Sequence, residues 1–301
     1  MKNDFEKFHK EAQKYLDENA KGTESEEELK KLLDRFVKDY NAGIKAGANI
    51  ISEPKTADDY LELASEAPTR QKEQYYLAKA LELEPENLDA LLYDAVSRSG
   101  NIEEELVNLR KVIAIGEEQM KKQGYDDEES IGDYWLIFQT RPYMRVLGQY
   151  LESLLTAGKY REGLKICRKM LHLCEGDNLG IRYTYVATLA ALEEVKEAEE
   201  FFEKQEYEES MILLAMMILY YKVDDLSKAK EMYQRLKKRN PDTKKFFKAV
   251  HKGNLEKYEE KMNEYGYRPN TIEELLVFVK EQSHLLFTAP AFFNWAYRLS
   301  K

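Results

Sequence analysis

From residue 54 onward the chain repeats one arrangement. Helix-length stretches, in which apolar side chains recur at three- and four-residue steps, are separated by short polar breaks, and no sustained two-residue alternation occurs. That periodicity predicts amphipathic helices with one buried face, so an all-α chain is expected. Ahead of this region, Phe5, Phe8, Ala12, Tyr15 and Leu16, then Leu29, Leu32, Leu33, Phe36, Val37 and Tyr40, mark two further helices over 3–18 and 25–46. Gly22 stops the first, and Thr23 or Ser25 can cap the second. The small-residue loop AGIKAGANIISEP then sets 1–52 apart as an N-terminal helical pair, leaving 53–301 as the larger domain.

Within 53–301 a helical hairpin recurs. The clearest copy places Leu147, Tyr150, Leu151 and Leu154 on its first helix and Gly158 and Tyr160 at the turn, with Gly163 and Cys167 on its second helix. The next has Tyr185, Val186 and Leu189, then Ala198 and Phe202. A third has Leu213, Met216, Met217 and Tyr220, then Ala229, Tyr233 and a closing Pro241, and a looser early copy ends in ALELEPENLDA with Ala80 and Pro85. These slots follow the tetratricopeptide template, in which a small residue on the second helix lets two backbones approach. The expected architecture is therefore a tetratricopeptide-like right-handed superhelix of helical hairpins behind the N-terminal helical pair. GYDDEESIGDYWLIFQ (124–139) interrupts the array. Its acidic part is expected to be a solvated loop, anchored by Tyr134 and Trp135. A capping box from Thr271 to Glu274 starts a late helix. The last helix, with Phe292, Phe293, Trp295, Ala296 and Leu299, is expected to cover the end of the stack.

Two polar signatures, TRPYMR (140–145) and DNLGIRY (177–183), bracket the clearest hairpin, and YRPNTIEELLVFV and PAFFNWAY follow near the C-terminus. At these segments the chain resembles bacterial and archaeal tetratricopeptide proteins related to the eukaryotic suppression-of-tumorigenicity family, over roughly residues 55–301. The resemblance implies an all-helical repeat fold that serves interaction rather than catalysis.

Composition narrows the class without changing it. With 43% hydrophobic and 34% charged residues the chain is a folding sequence, too apolar for disorder. A net charge of −10 argues against wholesale binding to nucleic acid or anionic membrane. Two cysteines, Cys167 and Cys174, exclude a disulfide framework, and no signal-peptide core or run of about 18 apolar residues occurs. A cytoplasmic location is expected.

Candidate chemistry lies at the polar signatures and along the first helices. Thr140 reads as an N-cap, with Pro142 in the first turn. Arg141 and Arg145, four apart on one helical face, could join Arg182 in gripping a carboxylate or phosphate. The competing reading is a structural ion-pair network with Asp177, Glu152 or Glu175. The slots that face the concave side of such an array hold Arg145 and Glu152, then Tyr183 among small residues, then Met211, Leu214, Ile218 and Tyr221. An apolar groove of this kind needs a cover. A partner peptide or helix, or the chain's own N-terminal pair, would supply it.

Charge is unevenly spread. Residues 193–209 hold nine glutamates against two lysines, a net of −7, whereas residues 228–268 hold 13 Lys/Arg against six Asp/Glu, a net of +7. The basic run, followed by Phe246 and Phe247, offers the alternative function of a regulatory protein that contacts nucleic acid. Head-to-tail pairing of the two regions would give a homodimer. For catalysis the sequence is poor. Its four histidines are scattered, there is no glycine-rich phosphate loop and no metal-ligand spacing, and His172 with Cys174 is at most a weak nucleophile pair. The expectation is a non-enzymatic protein–protein interaction scaffold without cofactor or metal.

Overall fold

A computed structural model of the chain describes residues 8, 12, 15–16, 19–20, 25–45, 54–260, 262 and 266–301. Regular structure among them is helical, apart from isolated bridges that join residues 132 and 133 to Cys174. The chain divides into two compact units, 1–90 and 91–301, with the division falling inside the helix Leu88–Arg98. The boundary expected at 52/53 lies outside the described residues.

In the first unit, helix α1 (Glu26–Lys45) is started by Ser25. Its hydroxyl accepts the Glu28 N–H while the Glu28 carboxylate accepts the Ser25 N–H, a reciprocal pair that satisfies two orphan donors. Phe8 and Tyr15, themselves in helical backbone, pack their rings on Phe36 of α1 at 5.3 and 5.5 Å, which is the helical pair read from the sequence. Helices α2 (Ala57–Ser65) and α3 (Arg70–Leu83) pack together, burying Ala57, Leu61 and Ala64 against Leu77 and Ala80. Thr56 and Asp59 close a capping box on α2.

After α4 (Leu88–Arg98), the second unit is built from α5 (Ile102–Lys122), α6 (Arg141–Thr156), α7 (Tyr160–Leu173), α8 (Ile181–Leu192), α9 (Val195–Glu203), α10 (Ser210–Lys222) and α11 (Leu226–Arg239). Short connections fold each helix against the last, giving packed pairs α6–α7, α8–α9 and α10–α11, with α8 also against α10. Gly158 turns α6 into α7 at φ +71°, a conformation that costs an L side chain energy. At Gly163 an added Cβ would sit 2.9 Å from Leu155 Cδ2, so a larger residue would push that half-buried side chain aside where the two helices meet. Ala198 and Ala229, in the corresponding slots of α9 and α11, are fully buried.

The core centres on α10. Its sequence, SMILLAMMILYYK, is apolar all round, and every residue from Ser210 to Tyr220 is buried. A helix without a polar face must be covered on all sides. Burying each of its large side chains contributes roughly 1.5–3 kcal/mol. Helices α8, α9 and α11 cover part of it, and α14 (Ile272–Glu281) covers more. Helix α15 (Ser283–Phe287) packs on α8, and α16 (Phe292–Ser300) on α12 (Thr243–His251), which α13 (Glu256–Glu259) follows. The last helices were expected to cover the end of a stack. They pack on α8, α10 and α12, and so help to bury the all-apolar α10.

The insert behaves as the sequence suggested. Asp126 to Glu129 are exposed, and Tyr134 is buried, its hydroxyl donating to the Tyr125 carbonyl at 2.8 Å and its ring meeting Tyr143.

Candidate functional site

The TRPYMR signature is a structural join. Pro142 sits in the first turn of α6 as expected, but Thr140 does not cap it. A 3-10 turn, Phe138–Thr140, runs directly into the helix, and the buried Thr140 hydroxyl points back to donate to the carbonyls of Tyr134 and Ile137. Arg141 is only 8% exposed. Its Nε donates to the Trp135 carbonyl at 2.7 Å, and its guanidinium lies 4.1 Å from the Phe138 ring centroid and 5.3 Å from that of Trp135. Such stacking suits arginine's planar, weakly hydrated head. Arg145 is half-buried and Glu152 exposed, on the same helix.

The DNLGIRY signature builds the start of α8. Asp177, at φ +44°, accepts the N–H groups of Ile181 (2.7 Å) and Arg182 (3.1 Å), satisfying donors that the helix cannot pair internally. Gly180 takes the left-handed conformation before the helix, at φ +68°. Arg182 then returns to Asp177 through Nη1 at 2.8 Å and reaches Glu209 bidentately at 2.9 and 3.0 Å. Its guanidinium lies 4.3 Å over the Tyr183 ring, and the Tyr183 hydroxyl donates to Glu209. Burial pushes the Glu209 carboxyl up, but the hydrogen bonds from Arg182 and Tyr183 outweigh it and hold it below its ordinary value. Of the two readings of the arginines, the ion-pair reading fits Arg182. Asp177 was foreseen as its partner, and Glu209, 27 residues away in the acidic run, was not.

The apolar groove residues are closed off. Met211, Leu214 and Ile218 are at most 1% exposed. Tyr221 is half-buried, its ring 5.5 Å from Phe292 and 5.0 Å from Trp295 of α16. Next to it, Lys222 donates to the carbonyls of Ala190 and Ala191, closing the C-terminus of α8. On α8 itself, Thr184 and Thr188 meet Gln282 and His284 of the returning C-terminal segment at 3.3 and 3.2 Å, and the Tyr160 ring packs on His284. Burial pushes the His284 imidazole down to about 4, so it sits there neutral.

The charge runs part ways. Six of the nine glutamates in 193–209 pair across helices with basic groups of the chain: Glu193 with Lys222, Glu194 with Arg161, Glu197 with Arg168, Glu199 with Lys228, Glu208 with Arg235 and Glu209 with Arg182. The acidic run is therefore largely paired within the chain. In the basic run, Phe246 and Phe247 are fully buried against Tyr233, Phe292 and Phe293 and offer no platform for bases. Much of what remains exposed is lysine. A cavity of about 710 Å³ between α12, α13 and α16 is lined by Lys244, Lys245, Lys248, Lys252, Lys257 and Lys301, with Asn254, Tyr258 and Tyr297. No Asp or Glu is among its described lining residues. Sequence reasoning had the run but not the cavity, because Lys301 joins it only through the fold.

Among the described residues, the weak Cys–His candidate is not brought together. Cys174 is buried while His172 is exposed, and burial pushes the Cys167 thiol up to about 12. Among the described residues no cluster of His, Cys, Asp or Glu is set to hold a metal, and no helix is long and apolar enough to cross a membrane. The class defined so far is an all-helical protein of packed helix pairs with an aromatic C-terminal segment laid over its core. No family model, curated protein or solved structure matches the chain.

Proposed function

We propose that the chain is a non-enzymatic interaction scaffold, a tetratricopeptide-like right-handed superhelix of hairpins, whose first helices present a face that accepts a helix. The reading rests on one observation above others. The face that sequence slots assign to a partner is covered by a helical segment, and that segment belongs to the same chain, with Phe292 and Trp295 on Tyr221 and His284 on Thr188. Small side chains at Gly163, Ala198 and Ala229 and the repeated pairing of consecutive helices support the superhelix and the resemblance to relatives of the suppression-of-tumorigenicity family. A tethered segment has a high effective concentration, so a partner helix must compete with it. Met211, Leu214, Ile218 and Tyr221 form the floor of that face, and Arg182 and Tyr183 set its upstream edge by joining α8 to Glu209.

The test is competition in trans. A labelled synthetic peptide of residues 283–301 is titrated into the Phe292→Ala/Trp295→Ala double variant, in which the resident helix is weakened. Saturable binding to the variant, and far weaker binding to the unaltered chain, is expected. A helical, folded variant that ignores the peptide contradicts the proposal.

A further inference from the structure

The lysine cavity is a second feature, formed partly by the α16 helix that covers the face. Six lysines converge on one concave space in a chain whose net charge is −10, so the positive potential there is local and is held against the field of the whole molecule. Among the described residues only Lys245 of the six has an acidic partner, Asp242 at 3.4 Å, and Glu259 on the neighbouring α13 is taken up by Lys280 outside the cavity. Elsewhere this chain pairs its charges across helices, as the acidic run shows. Like charges crowded with little compensation cost stability.

The aromatic groups decide which anion fits. Tyr297 is stacked face to face on His251, with centroids 3.9 Å apart at 13°, and Lys301 Nζ lies 5.1 Å from the same ring. Tyr258 carries Lys245 Nζ at 5.1 Å and Lys257 Nζ at 4.8 Å from its centroid. Both rings are thus occupied in steadying the chain's own cationic and imidazole groups. Phe246 and Phe247 are buried and offer no stacking surface beside the cavity, and stacking is what a sequence-tolerant single-strand site requires. Ammonium groups on flexible stems are point charges that suit phosphate without demanding a fixed fork geometry. The volume lies within the range of small-ligand sites.

We propose that this cavity binds a compact, phosphate-dense anion such as an inorganic polyphosphate, held by charge alone between α12, α13 and the C-terminal Lys301. Such a ligand would bridge the last helix to α12 and so stabilise the covered state of the chain.

The experiment is calorimetric titration of the full chain with tripolyphosphate, and in parallel with a single-stranded oligonucleotide of mixed sequence. Two variants are compared: Lys248→Glu/Lys252→Glu inside the cavity, and Lys230→Glu/Lys238→Glu on exposed positions outside it, with the same change in net charge. Tripolyphosphate is expected to bind the unaltered chain and the outer variant alike, to weaken roughly tenfold or more in the cavity variant, and to weaken with added salt. Absence of tripolyphosphate binding overturns the proposal. So does equal weakening in both variants, which would mark generic charge attraction, and so does tighter binding of the oligonucleotide, which would mark a nucleic-acid surface. None of these results depends on the peptide experiment on α16.

Discussion

The acidic run 193–209 and the lysine cavity carry formal charges of similar size in the sequence and are opposites in the folded chain. In the first, glutamates on α9 and in the loops on either side of it reach Arg161, Arg168, Lys222, Lys228, Arg235 and Arg182 on four other helices, so the charge ties one helix to the next. In the second, lysines from α12, α13 and the C-terminus face one another across open space. A charge run in a sequence therefore says little about the charge a protein can offer. What decides is whether the fold supplies the counter-ion, and only the three-dimensional arrangement contains that.

The comparison breaks most readily at Arg182. Arg182→Ala would leave Asp177 and Glu209, both mostly buried, without their shared cation, and should destabilise the chain by about 3 kcal/mol in denaturant unfolding. A loss under about 1 kcal/mol would mean that the acidic side is not structural at this node.

Acidity separates the ion-paired carboxylates from the other buried titrating group. His284 has its folded value depressed to about 4 from 6.5, so the unfolded chain binds the extra proton first. Its contribution is intact above pH 6.5 and is lost as pH falls from there towards 4. Between pH 7 and pH 5 the stability should drop by roughly 2 kcal/mol, and His284→Gln should remove most of that drop. Glu197, Glu199 and Glu209 are lowered from 4.5, each held down by its basic partner's hydrogen bonds, with burial as the leading but opposing influence at Glu209. Their share is therefore present above pH 4.5 and lost below it. Circular-dichroism unfolding across pH 3–8 should resolve the two windows. A single loss confined below 4.5 would contradict the assignment to His284.

A smaller effect is expected at the rim. Arg168 pairs bidentately with Glu197 at 2.8 and 2.6 Å, but both side chains are at least one-third exposed, so Arg168→Ala should cost only about 0.5–1 kcal/mol.

Much of the helical order was legible because it is carried by local signals. Ser25 and Thr271 cap where the pattern places caps, Gly158 turns where the hairpin needs a turn, and Gly163 is small where two helices meet. The Thr271 box differs in detail, since the Glu274 carboxylate accepts the Asn270 N–H rather than that of Thr271 itself. Thr140 was misread as a cap because its sequence context is right for one, whereas the preceding 3-10 turn already holds it helical. The candidate site was less legible. That Met211, Leu214 and Ile218 are buried follows from α10 being apolar on every side, a signal that is present in SMILLAMMILYYK but does not say which segments cover it. Glu209 as the partner of Arg182, and Lys301 beside Lys248, are long-range pairings that no local pattern encodes.

The central claim is that the acidic charge is structural and the lysine charge is available. The most direct measurement unfolds two variants side by side in denaturant, Glu197→Lys/Glu199→Lys and Lys248→Glu/Lys252→Glu. The first breaks pairs with Arg168 and Lys228 and sets like charges together, and it should lose clearly more stability than the second. The second should stay within about 0.5 kcal/mol of the unaltered chain or gain slightly, as relief of self-repulsion predicts. Equal losses in the two would contradict the account.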